Sequence, residues 1–89
     1  MADENLPDEL IELKIALWAV DELCTDLAKR DVPADPDLAA QQAAALHMAR
    51  TKRAEIVGKL YAHKWWNQQP NRYAADQAII AAAKARATT

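Results

Sequence analysis

Two proline-marked interruptions divide a chain that otherwise has little except helix to form. They are Asp31-Val32-Pro33-Ala34-Asp35-Pro36 and Gln68-Gln69-Pro70-Asn71, and proline flanked by Asp, Asn or Gln breaks a helix and starts the next one. Elsewhere Gly occurs once, at Gly58, Phe is absent and Ala fills 21 of the 89 positions, a usage that favours helices over strands. The spacing predicts an all-α, three-helix domain with helices at about residues 7–30, 36–66 and 72–87. Residues 1–89 read as one domain, with 1–5 and 88–89 expected to fray. A chain this short buries only about two-thirds of its unfolded surface, so its core is small and self-association would help it.

Helix signals agree with these limits. Pro7, Asp8 and Glu9 suit a first turn, while Lys29 and Arg30 suit a last turn. Asp35 and Pro36 read as an N-cap and first residue. On helix 1, Leu10, Leu13, Leu17, Val20, Cys24 and Leu27 form an apolar stripe, widened by Ala16 and Leu23, and Cys24 is assigned to the core. Ile11, Ile15 and Trp18 form a second patch beyond Lys14 and Asp21, more than one neighbouring helix can cover. Helix 3 or another subunit should cover it. Helix 2 shows Leu38, Leu46, Ala49, Ile56, Val57 and Leu60, with Arg53 inside the stripe, where a cation needs a carboxylate.

Charge divides at the first interruption. Residues 1–37 hold three basic side chains against eleven acidic ones, a net of −8, whereas residues 38–89 hold eight against two, a net of +6. An acidic helix 1 therefore faces a mostly basic helix 2 in an antiparallel hairpin, crossed by the shorter helix 3. If both helices start at the loop, facing residue numbers sum to roughly 66. Arg53 then reaches Glu9 or Glu12, a structural ion pair that sets register. The same arithmetic leaves Tyr61 to Trp66 projecting past the start of helix 1.

That aromatic and basic end is the most function-like stretch. Neighbouring Trp65 and Trp66 point about 100° apart on a helix and do not both fit one small core, and Trp is enriched at interface hot spots. The expected role is non-enzymatic binding of another protein or of a second copy as a homodimer, through Ile11, Ile15 and Trp18 or through Tyr61, Lys64, Trp65, Trp66 and Tyr73. The alternative is nucleic-acid binding, with Arg50, Lys52, Arg53, Lys59, Lys64, Arg72, Lys84 and Arg86 on phosphates and the aromatics stacking on bases. Against it stand the acidic first half and a pI of about 5.6.

Catalytic chemistry is sparse. His47 and His63 are 16 residues apart on one helix, about 24 Å, too far to share a metal. Ser is absent, one glycine makes no phosphate loop, and the helix 1 carboxylates lack a Glu-rich second helix for a di-iron centre. No cofactor is expected. One resemblance bears on an enzyme reading. Leu10, Leu13, Lys14, Leu17, Val20 and Asp21 are similar to the opening helix of the small, all-helical chorismate mutases, and Val57-Gly58-Lys59 is similar to that family's Val-Gly followed by a catalytic Lys. The resemblance implies a small helical mutase with Lys14 in the place of the family's Arg. The chain departs from the family in that Lys, in Tyr61 where its catalytic Lys is expected, in the absence of an acidic residue after Arg72, and in the break at residues 31–36. With no run of about 18 apolar residues and no signal-like start, neither a membrane span nor secretion is expected, and the default location is the cytoplasm.

Overall fold

A computed structural model describes residues 6–88, and the expected fraying at residues 1–5 and at Thr89 lies outside them. The protein is all-α, with α1 over Asp8–Lys29, α2 over Pro36–Ala62 and α3 over Arg72–Ala87. A short 3-10 helix, Lys64–Gln68, joins α2 to α3, and no strand occurs among the described residues. The predicted starts hold because they are set by local chemistry. The Asp35 carboxylate accepts from Asp37 N–H at 2.8 Å and Leu38 N–H at 3.5 Å, and Asn71 Oδ1 accepts from Ala74 N–H at 3.1 Å. Both satisfy donors that a helix start leaves unpaired. The Thr88 hydroxyl and amide donate to the Lys84 carbonyl at 3.1 and 3.2 Å.

Helix α1 is the central element, packed by α2 on one side and by α3 on another. Leu10, Leu17 and Val20 meet Ile56 and Leu60 of α2 and Ala75, Ile79 and Ala83 of α3 in one apolar cluster, with Ile15 and Trp18 half-buried against it. Helix α3 therefore lies over the patch that one neighbour alone would leave bare. Ion pairs fix it across the first half of α1: Asp76 reaches Lys14, and Arg86 reaches Asp8 at 2.7 Å and Glu12 at 4.0 Å. Cys24 is half-buried rather than in the core, because α3 does not extend over the α1 turn that carries it.

The hairpin register differs from the simple one. Arg53 pairs with Asp21, not with Glu9 or Glu12; Glu9 instead faces His63, and Glu12 faces Arg86. Paired positions across the hairpin, Arg53–Asp21, His63–Glu9, Tyr61–Lys14 and Gln42–Arg30, have numbers summing to 72 to 75. The cause is the connection. Arg30 and Asp35 are extended, with ψ of 143° and 122°, so the loop carries the chain onward before α2 begins. The first turns of α2 overhang α1 by about 12 Å at 1.5 Å per residue. His63 consequently lies beside the first turn of α1, and the aromatic end is level with α1 instead of past it.

Helix α2 also stops earlier than its apolar pattern suggests. His63 is extended, with ψ of 139°, and its Nδ1 accepts from Trp65 N–H at 3.1 Å, capping the 3-10 turn. The turn folds both tryptophans back, leaving Trp65 8 % and Trp66 3 % exposed. The Trp66 indole donates to the Leu60 carbonyl at 2.6 Å, filling one of the acceptors that the end of α2 leaves open. Trp65 meets Trp66 edge-on, with centroids 5.1 Å apart.

Two substitutions probe this core. Trp66→Phe removes the indole donor and should cost about 1–3 kcal/mol; Trp66→Ala should cost about 3–5 kcal/mol, most of what a domain this size has. Thermal melts by circular dichroism check both, and an unchanged melt for Trp66→Ala would contradict the packing. At Gly58, by contrast, a Cβ would meet nothing within 4 Å. Gly58→Ala should therefore stabilise the helix by about 0.5–1 kcal/mol and raise Tm; a fall in Tm would mean that the site is contacted.

Candidate functional site

The residues expected to form a binding patch do not share one surface. Ile11, Trp65 and Trp66 are in the core, Ile15 and Trp18 are half-buried against it, and Tyr61, Lys64 and Tyr73 are exposed. Two physical reasons explain the difference. The 3-10 turn breaks the 100° spacing that would have splayed the tryptophans, and α3 roofs them. Tyr61 lies 5.4 Å from Trp66, centroid to centroid, and the Arg72 guanidinium stands 5.7 Å from the Trp66 ring. The aromatic end is thus the sealed end of the molecule.

Between the three helices sits one charged cluster. Lys14 is 7 % exposed, with Nζ 3.6 Å from Asp76 Oδ1 on α3 and 3.5 Å from the Tyr61 hydroxyl on α2. It also lies 5.9 Å from the Tyr61 ring centroid. Asp76 Oδ1 is buried and accepts no hydrogen bond, so its counter-charge is the Lys14 ammonium. Such a pair contributes more to specifying which faces meet than to net stability. Arg53 is different, since both it and Asp21 remain about half exposed. The hydrogen bond to Asp21, then the proximity of its charge, hold the Arg53 guanidinium above its usual pKa.

The other half of the hairpin is open. Helix α3 stays over the first half of α1 along its whole length: Asp76 near its start reaches Lys14, and Arg86 in its last turn reaches Asp8 and Glu12. Beyond it α1 and α2 have only each other, and a groove of about 720 Å³ is lined by Val20 and Leu23 of α1 and by Ala45, Met48, Ala49, Lys52 and Glu55 of α2, among others. Leu23 is 46 % and Met48 71 % exposed. Leu27 and Ala49 are buried nearby but stand outside the main apolar cluster. Sequence reading assigned Leu23 to the core stripe and passed over Met48.

Among the described residues no group of three or more His, Cys, Asp or Glu side chains is placed to hold a metal, and no helix is long and apolar enough to cross a membrane. A family model for a domain of unknown function, DUF8825, matches residues 9–82. The chain belongs to that family. The match runs from the first turn of α1 well into α3, so the sealed end and the open groove both lie within the DUF8825 segment. No curated protein and no solved structure matches the chain.

For the charged cluster, replacing Asp76 by Leu strands the Lys14 ammonium, replacing Lys14 by Met strands the Asp76 carboxylate, and each should cost about 1–3 kcal/mol. A double variant, Lys14→Met with Asp76→Leu, should lie closer to wild type than either single change. Urea unfolding curves measure all four states, and strictly additive losses would mean that the two side chains are not coupled.

Proposed function

We propose that this protein is a non-enzymatic protein–protein interaction module of the cytoplasm, whose contact surface is the open half of the hairpin. The observation that carries the reading is the groove over Leu23 and Met48. Two large apolar side chains are exposed on facing helices at the end where no third helix covers them. A satellite patch of this kind, bounded by polar residues, is characteristic of an association surface. Methionine suits the role because its flexible, polarizable side chain adapts to what covers it. One half-buried thiol, Cys24, is compatible with a reducing compartment.

The nucleic-acid alternative has less support. Arg53 and Arg86 are engaged by acidic residues of α1, Arg72 stands against Trp66, and the tryptophans that would stack on bases are buried. The chorismate-mutase reading likewise has less. Lys14, the position it needs for substrate, is turned towards Asp76 and Tyr61 between the helices.

A photo-crosslinking residue tests the surface in the full chain, expressed in its host. Placed at position 48 it should give a covalent protein adduct, either of twice the chain mass or with another protein. Placed at position 73, which is exposed at the sealed end, it should not. Adducts from position 73 alone, or from neither position, would remove the reading.

A further inference from the structure

His63 sits where α2 ends and the turn that buries both tryptophans begins, and its two ring nitrogens face different elements. Nδ1 accepts from the Trp65 amide at 3.1 Å, while Nε2 lies 3.4 Å from a Glu9 carboxylate oxygen on the first turn of α1. Together the two contacts fix the tautomer. A ring nitrogen that accepts a hydrogen bond carries no proton, so the single proton of the neutral ring is on Nε2, where it points at Glu9. We propose that His63 is a proton-operated latch: on gaining a second proton, at Nδ1, it releases the Trp65 amide and loosens the joint between α2 and the 3-10 helix, while the ring stays docked on Glu9. This goes beyond the groove reading and concerns the opposite end of the molecule.

A proton on Nδ1 acts on the joint in two ways. It turns the acceptor into a donor, and it sets one N–H against another across the same 3.1 Å. The other bonds of the joint do not involve the ring. The His63 carbonyl accepts from the Trp66 amide at 3.3 Å, the Gln69 side chain donates to the Trp65 carbonyl at 3.2 Å, and the Trp66 indole remains on the Leu60 carbonyl. The change is therefore confined to the first turn of the 3-10 helix and leaves the three helices in place.

The surroundings let the second proton arrive while the chain is folded. The ring is 27 % exposed, so solvent reaches it. From α1 it faces Glu9, a carboxylate that pairs with an imidazolium as well as with a neutral ring, and the carbonyl end of α2 also suits a cation. Lys59, one turn back, and Lys64, the next residue, act against it. Helix α3 packs on α1, where Asp76 faces Lys14 and Arg86 faces Asp8 and Glu12, and Arg72 stands against Trp66. Docking on Glu9 thus survives the proton, and the Trp65 bond does not. Histidine is the side chain whose charge ordinarily changes between about pH 5 and 8, which sets the range over which the latch works.

Amide exchange followed by NMR on the purified full chain tests this from about pH 7.5 to about 5.5, where carboxylates ordinarily keep their charge. After correction for intrinsic exchange rates, protection of the Trp65 amide is present at the upper limit and should fall about three- to tenfold at the lower one. Its midpoint should coincide with that of the His63 ring resonances. His63→Asn keeps a side-chain acceptor suited to a helix start but does not titrate, and there the Trp65 protection should be the same at both limits. His47→Gln removes the other histidine, which is exposed on α2, and should leave the response intact. Protection of the wild-type Trp65 amide that does not change with pH, or that changes with a midpoint other than that of His63, overturns the latch. So does a response that survives His63→Asn or is lost in His47→Gln.

Discussion

A shortage of covering helix governs this molecule. Three amphipathic segments of 22, 27 and 16 residues cannot form three equal layers, because each residue advances a helix by the same 1.5 Å. The short segment must leave part of the longer pair bare, and the connection decides which part. Only Ala62 to Arg72 separates α2 from α3, and half of that stretch is wound into the 3-10 helix. Helix α3 thus stays at the aromatic end. The largest fully buried side chains, Leu10, Leu60 and Ile79, and the two tryptophans collect there.

Helix starts were legible because they depend on a few adjacent residues. Asp35 before Pro36, and Asn71 before Arg72, act over a single turn and need no tertiary partner. The hairpin register was not legible. It depends on whether residues 30–35 fold back or run on, and the local composition permits either. That one geometric choice moved Arg53 from Glu9 or Glu12 to Asp21 and brought His63 beside Glu9. The tryptophans were misread for a related reason. A wheel drawn through residue 66 assumes 100° per residue, and the extended His63 resets the angle.

The opposite charges of the two halves turn out to be spent at scattered points. Asp21 holds Arg53 on the hairpin, Lys14 holds Asp76 between layers, and Asp8 and Glu12 hold Arg86. Acidic α1 thereby attaches to both basic neighbours. Because most of these pairs are exposed, each contributes little to stability on its own. Their value is directional, since α1 accepts α2 and α3 only where opposite charges align. Burial of the apolar cluster provides the larger part of the free energy.

The overhang of α2 beyond α1 has a dynamic consequence. Its first turns, capped by Asp35 and Pro36, are supported by local hydrogen bonds, by the Gln42 bond to the Arg30 carbonyl and by a shallow apolar contact with Leu27 and Val32, while the last turns lie beneath two aromatic rings. One continuous helix thus passes from a well-anchored end to an end that opens at small free-energy cost. Amide exchange along it should be graded rather than uniform. Whatever seats on the loose end will flatten that gradient, so ligation and local folding become the same equilibrium.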